Sequence, residues 1–329
     1  MADALSSPPR SFELPGKRIF VAGHRGMVGS ALMRRLARED CELLTVDRAE
    51  LDLRRQTDVE RWMARCRPDG VIVAAARVGG IAANAREPYE FLYDNLMIGA
   101  NLIAASAAAD VEKLLFLGSS CIYPRLAEQP VREDQLLTGP LEPTNEAYAI
   151  AKIAALMLAR SLNVEHGRRF VTAMPTNLYG PGDNFDPASS HVLPALMRRI
   201  HAAKEAGDAA VTIWGSGAPL REFLHVDDLA EACVLVLRRY DEAVHINIGS
   251  GEEVSIRQLA ETIADVVGYC GEFVFDRAKP DGAPRKLLAA DRIRALGWRP
   301  RVTLADGIAA IYPLWRRQMS HDSRAQALA

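Results

Sequence analysis

Arg18-Ile-Phe-Val-Ala-Gly23-His-Arg-Gly26-Met-Val-Gly29 is the stretch that decides the fold. A short apolar run, Lys17–Ala22, closes on three glycines spaced three apart, and helical spacing follows from Met27 to Arg38. Strand, tight turn and helix in that order form a phosphate turn. Glycines let the backbone approach a pyrophosphate closely, and the opening turn of a helix offers unpaired N–H donors with positive potential. A dinucleotide is therefore expected at Gly23, Gly26 and Gly29.

The same rhythm continues outward. Apolar runs at Cys41–Val46, Gly70–Ala76, Lys113–Gly118 and Arg169–Met174 alternate with helical periods at Leu53–Arg67, Pro88–Ala109 and Asn145–His166. Short strands separated by long helices imply βαβ units, a parallel sheet and right-handed crossovers. The expected fold class is α/β, a Rossmann-type doubly wound parallel sheet. After Tyr179 the rhythm breaks: Gly180–Ser190 is rich in Gly, Pro, Asp and Ser, as an irregular loop should be. Helices near His191–Lys204, Val226–Arg239 and Ile256–Val267, with strands near Val211–Trp214 and Glu272–Phe275, then read as a smaller, discontinuous α/β cap. The expected organisation is a disordered tail over 1–16, a dinucleotide-binding domain over 17–180, and a mainly substrate-binding domain over 181–329. Segments near 222–250 are expected to return to the first domain.

Composition narrows the function. A net charge of −2 provides no basic field for nucleic acid or an anionic membrane. Five scattered cysteines without a CxxC pair speak against a disulfide framework or a thiolate metal site and for a reducing compartment. The first sixteen residues lack the apolar core of a signal peptide, and no apolar run reaches the roughly 20 residues of a membrane span. A cytoplasmic enzyme without a metal is the expectation.

Two groups of residues carry chemistry. Tyr148-Ala-Ile-Ala-Lys152 puts a phenol and an ammonium on one helix face, and a nearby cation favours phenolate. Gly118-Ser119-Ser120-Cys121 follows the fourth strand, at the carboxyl edge where α/β ligands bind. Ser119 can hold the carbonyl oxygen that Tyr148 protonates while hydride reaches the carbon. Near the second strand, Asp47 adjoins Arg48. An acid there suits the ribose diol of NAD and an arginine the extra phosphate of NADP, with Arg25 a second candidate partner for that phosphate. Taken singly, Cys121 reads as a small core hydrophobe, and His191 as a structural imidazole.

The glycine spacing resembles that of the extended short-chain dehydrogenase/reductases. Five longer segments are more specific: Leu117-Gly-Ser-Ser-Cys-Ile-Tyr-Pro124, Glu142-Pro-Thr-Asn-Glu-Ala-Tyr-Ala-Ile-Ala-Lys152, Met174-Pro-Thr-Asn-Leu-Tyr-Gly180, Ser190-His-Val-Leu-Pro194 and Arg221-Glu-Phe-Leu-His-Val-Asp-Asp228. Together they resemble the GDP-L-fucose synthases, a family of GDP-4-keto-6-deoxy-D-mannose 3,5-epimerase-4-reductases, from about Arg18 to Trp315. The resemblance implies Ser119, Tyr148 and Lys152 for reduction and Cys121 with His191 as the acid–base pair of epimerisation, for which a thiolate base at Cys121 and an acid at His191 are expected. It implies NADP(H) held by Gly23, Arg25, Gly26, Met27, Val28, Gly29, Arg48, Leu117, Gly118, Lys152, Pro175, Asn177, Leu178 and His191. It further implies a GDP-sugar contacted by Arg199, Trp214, Arg221 and Asp281, and a homodimer built on the two long Ala-rich helices; Lys286 is a further cationic candidate for the substrate diphosphate, and His225 reads as structural. Asp47 stands where this family carries threonine.

Rival readings are a GDP-colitose-type 5-epimerase-4-reductase, another nucleotide-sugar 4-epimerase or reductase, and a non-catalytic dinucleotide sensor. A 4,6-dehydratase would need an acidic pair where this chain has Ser120-Cys121.

Overall fold

The computed structural model describes residues 11–279 and 281–327. Its frame is a six-stranded sheet, parallel throughout, in the order β2-β1-β3-β4-β5-β9. In chain order, β1 (Arg18–Ala22) leads to α1 (Met27–Leu36), β2 (Glu42–Leu44), α2 (Gln56–Cys66), β3 (Gly70–Val73), α3 (Ile81–Arg86) and α4 (Pro88–Ala108). Then come β4 (Lys113–Leu117), α5 (Glu146–His166) and β5 (Phe170–Pro175). Every residue of β3, β4 and β5 is buried, because a parallel sheet covered on both faces needs unbroken apolar runs rather than alternation.

The chain then leaves the sheet through β6 (Asn177–Tyr179), α6 (Val192–Ala206), β7 (Ala210–Trp214) and β8 (Leu220–His225). It comes back with α7 (Val226–Arg239) and β9 (Ile246–Ile248), the far edge strand of the large sheet, so the return begins at Val226. The remainder is β10 (Glu253–Ser255), α8 (Ile256–Val267), β11 (Glu272–Asp276), β12 (Arg285–Lys286), α9 (Asp291–Ala295) and α10 (Leu304–Ala327). Among these, β8 is the hub: β10, β12 and β6 all pair with it. Separately, β7 pairs with β11, and its Val211 and Ile213 point inward while Thr212 and Trp214 face out, the period-two pattern of a half-buried strand. A reciprocal Ser255–Gln258 capping box fixes where α8 starts.

The three largest apolar clusters among the described residues follow from this layout. One lies between a face of the large sheet and α1 and α7; a second lies on the opposite face under α2, α4 and α5. The third holds α6, α8 and α10 around β7 and β8.

Two expectations need correction. Residues 11–16 are not a frayed tail: Phe12 and Leu14 are fully buried in the first cluster, and the Phe12 amide donates to the Arg238 carbonyl at 2.8 Å. Two apolar side chains spaced by one residue form a strand-like anchor that the surrounding Ser and Pro obscure. Residues 1–10 of the expected tail lie outside the described residues. Phe12→Ala should cost about 3–5 kcal/mol of unfolding free energy, read from denaturant midpoints; a change below 1 kcal/mol would mean the anchor contributes nothing. Second, the Pro143–His166 stretch is by length and composition apolar enough to cross a membrane. Here α5 packs against α4 and buries Tyr148 and Lys152.

Candidate active site

Parallel strands place all their carboxyl ends on one edge, and the sheet order reverses between β1 and β3, where a crevice opens. At the end of β1, Gly23 has φ 84°, and a Cβ there would sit 2.7 Å from Ala75 Cα. A Cβ on Gly29 would lie 2.0 Å from the Gly23 carbonyl oxygen, so only glycine lets α1 begin so close to the turn. The first turn of α1 carries no acidic residue, leaving its positive end unopposed. A backbone-walled cradle at a helix N-terminus fits the pyrophosphate of a dinucleotide. Met27 and Val28 continue this turn. On its rim the Arg25 guanidinium donates to Asp47 Oδ2 at 2.5 Å, His24 Nε2 lies 3.4 Å from Asp47 Oδ1, and Arg48 is exposed.

The Tyr148 centre forms where α5 crosses the ends of β4 and β5. Lys152, four residues on, is buried; its ammonium donates to the Leu117 carbonyl at 2.9 Å and lies 4.7 Å from the Phe116 ring centroid. Burial pushes that ammonium down to about 8, with the neighbouring Cys121 acting the other way. Gly118 continues the backbone with its amide on the Ala173 carbonyl; a Cβ there would strike the Met174 sulfur at 2.2 Å.

Tyr148 shares a hydrogen bond with Ser119, and Phe91 packs edge-on against its ring. Here the structure corrects an expectation. Burial, and then the charge of Cys121, push the phenol above the ordinary tyrosine range, and the Ser119 bond only partly offsets this. Lys152 does not counter the shift because it is itself desolvated and lies 5.7 Å from the phenol ring centroid, bonded to a carbonyl. The protein by itself thus keeps the phenol protonated, the form a proton donor needs.

Cys121 follows on a short 3-10 turn, Ser120–Ile122, capped by the Ser119 hydroxyl, which accepts the Cys121 amide at 3.3 Å. Two donors reach its sulfur: Asn145 Nδ2 at 3.3 Å and Lys286 Nζ at 3.8 Å. Both sets of atoms suit a thiolate acceptor. On the other side, His191 caps α6, brought over the sheet edge because the Gly80 amide donates to the Ser189 carbonyl at 2.9 Å. Its ring is reachable by solvent yet crowded by the cleft walls. That crowding, and then the Lys286 ammonium, hold its pKa below the ordinary imidazole range.

The remaining residues spread along the cap. Arg221 on β8 is the register partner of Lys286 on β12, and burial lowers its guanidinium against the opposing fields of Asp281 and Glu142. Asp281 accepts from the Ser216 amide at 2.6 Å and its hydroxyl at 2.9 Å, fastening the turn after Trp214, which is 62% exposed with Lys279 over its ring. Arg199 donates to the Thr212 carbonyl of β7. Pro175 ends β5 opposite Ile248, Asn177 donates to the Glu222 carbonyl at 2.8 Å, and Leu178 packs on the first apolar cluster. His225 is buried, caps α7 and stacks edge-on with Tyr179, a structural placement. Sequence reasoning missed Asn145, which it took only for the start of a helix, and missed Lys286 as a neighbour of Cys121. The first stands within a quoted motif; the second is 165 residues from its partner and left no local signal.

Comparison with known proteins gives a concordant result. The sequence model of the NAD dependent epimerase/dehydratase family matches residues 19–249. The chain is 56% identical to the GDP-L-fucose synthase of Sinorhizobium fredii over 91% of this chain and 95% of that protein. It is 53% identical to GDP-L-fucose synthase 1 of Arabidopsis thaliana over 95% and 97%. A GDP-L-fucose synthetase from Naegleria fowleri, solved with bound NADP, is similar in structure with a TM-score of 0.85 at 29% identity, over 96% of this chain and 98% of that one.

Proposed function

Because this chain belongs to the NAD dependent epimerase/dehydratase family and, within it, to the GDP-L-fucose synthases, we propose that it converts GDP-4-keto-6-deoxy-D-mannose to GDP-L-fucose. It inverts C3 and C5 and then reduces C4 at the expense of NADPH. One arrangement supports this reading: Ser119, Tyr148 and Lys152 lie with Cys121, Asn145 and Lys286 at the carboxyl edge of the sheet, and the charge of Lys286 reaches His191.

The chemistry follows from those positions. A C4 ketone acidifies the C–H bonds at both C3 and C5. The Ser119 and Tyr148 hydroxyls hold the ketone oxygen and stabilise the enolate that forms when Cys121 thiolate removes a proton. His191 delivers a proton to the opposite face; its lowered pKa makes the imidazolium, once formed, a ready donor. When bound in the cradle of Gly23, Arg25, Gly26, Met27, Val28, Gly29, Arg48, Leu117, Gly118, Pro175, Asn177 and Leu178, NADPH supplies the hydride for C4. Tyr148 gives its proton to the oxygen as the carbonyl becomes an alcohol, and Lys152 holds the helix face and ribose side of the site. Incubation with GDP-4-keto-6-deoxymannose and NADPH in heavy water tests this in one sample. Deuterium at C3 and C5 with stoichiometric cofactor oxidation is expected; reduction without exchange would rule out the epimerase half.

Arg199, Trp214, Arg221, Asp281 and Lys286 are proposed to grip the nucleotide and its diphosphate. Arg221→Ala should raise KM about 10- to 100-fold and leave kcat within a few-fold, the loss of one charge-assisted contact made equally in ground and transition states. A fall in kcat with KM unchanged would remove Arg221 from the binding set.

A homodimer is proposed through α4 and α5. Ile150, Met157 and Val164 recur every seven residues on α5 and are 46%, 37% and 75% exposed, beside the stacked and exposed Tyr89–Tyr93 pair of α4. Such a stripe is costly to leave in water. Light scattering should give a two-chain mass, and Met157→Glu should yield a monomer; a wild-type monomer would refute the interface. All five cysteines are free thiols. They suit a reducing compartment, and the cytoplasm is the proposed location.

A further inference from the structure

We propose that Asp47 sets the dinucleotide selectivity of this site, competing with the 2′-phosphate of NADP for Arg25 and serving the ribose diol of NAD. The chain therefore binds both dinucleotides, with a narrower preference for NADP than its two arginines would otherwise impose. The inference rests on the dinucleotide-dependent reading above and concerns a residue that the catalytic proposal does not use.

Asp47 lies three residues past the end of β2, next to the phosphate turn. That is where a parallel α/β sheet distinguishes the two cofactors: an acid there accepts from the ribose hydroxyls, and an arginine pairs with the added phosphate. This chain has both kinds of group. Asp47 Oδ2 accepts from Arg25 at 2.5 Å, and Oδ1 lies 3.4 Å from His24 Nε2 while accepting no hydrogen bond. Arg25 projects from the turn with its side chain 76% exposed, so Asp47 is its partner at the rim. Arg48 is exposed, and its charge acts on the nearby Asp52.

A 2′-phosphate, carrying close to two negative charges, gains from Arg48 and from Arg25. To reach Arg25 it must approach a guanidinium already neutralised by a carboxylate, and it then lies beside that carboxylate. Like charges at such separations repel, and half-exposed sites screen them only in part. An unphosphorylated ribose meets no such repulsion, and its hydroxyls donate to the same carboxylate. One side chain thus weakens the first ligand and strengthens the second.

Calorimetric titration of NADP⁺ and of NAD⁺ into the full-length chain, without sugar substrate, measures the two dissociation constants directly. For Asp47→Ala and for the isosteric Asp47→Asn, the ratio of the NAD⁺ to the NADP⁺ constant should rise at least five-fold over wild type. About ten-fold is expected for one like-charge contact near a protein surface. Arg25→Ala should lower the ratio. Matching melting curves for Asp47→Asn and wild type show that the fold is kept. Wild type that binds NADP⁺, together with Asp47 variants whose ratio rises less than five-fold or falls, overturns this assignment alone. Wild type that binds neither dinucleotide overturns it together with the cofactor reading on which it stands.

Discussion

Tyr148→Phe should slow the reduction of C4 by roughly two to four orders of magnitude, the usual worth of a positioned general acid, and should slow exchange at C3 and C5 far less. In the proposed mechanism the phenol gives a proton to the ketone oxygen as hydride arrives. Burial and the adjacent Cys121 keep it protonated, and Ser119 aligns it through a hydrogen bond. Phenylalanine keeps the ring that packs against Phe91 and so preserves the helix position while deleting only the O–H. Exchange at C3 and C5 needs a held enolate oxygen, and Ser119 still supplies one donor. Loss of NADPH absorbance and deuterium content by mass spectrometry separate the two half-reactions. Should the variant reduce C4 at a rate within ten-fold of wild type, the proton must come from elsewhere.

The second large effect is the mirror image. Cys121→Ser should cut deuterium entry at C3 and C5 by roughly two to four orders of magnitude, because serine at this position lacks a base of comparable strength. Reduction should continue, giving an alcohol that keeps the substrate's configuration at C3 and C5. The Asn145 amide and the Lys286 ammonium both reach the sulfur, so the side chain is held by charge complementarity as well as by the turn that carries it. Serine preserves the shape of that turn, since its cap comes from Ser119. If exchange survives unchanged while reduction fails, the base is another residue and Cys121 merely shapes the pocket.

Both effects involve residues whose positions were legible before any coordinates. Tyr148 and Lys152 are four apart on one helix, and Ser119 and Cys121 are two apart just past a buried strand; short-range geometry dictates which way such pairs face. The glycine turn is equally local, because φ 84° at Gly23 and the contact at Gly29 are demands of a few neighbouring atoms. Chemical roles for Cys121 and His191 came instead from resemblance, since neither residue carries a spacing that requires catalysis.

Sequence alone therefore determined the alternation of buried strands and helices, the glycine turn after β1 and the nearness of Ser119, Tyr148 and Lys152. Each of these is written in contacts between residues near one another in the chain, where backbone sterics and periodicity act. Only the tertiary structure decided that Lys286 reaches the Cys121 sulfur while its charge acts on His191, that Arg25 is already paired with Asp47, that Phe12 and Leu14 anchor the start of the chain, and that burial keeps Tyr148 protonated. Those outcomes depend on desolvation and on groups brought together across as many as 226 positions (the Phe12 amide on the Arg238 carbonyl), and no local pattern encodes the energy of a group whose surroundings come from elsewhere in the chain.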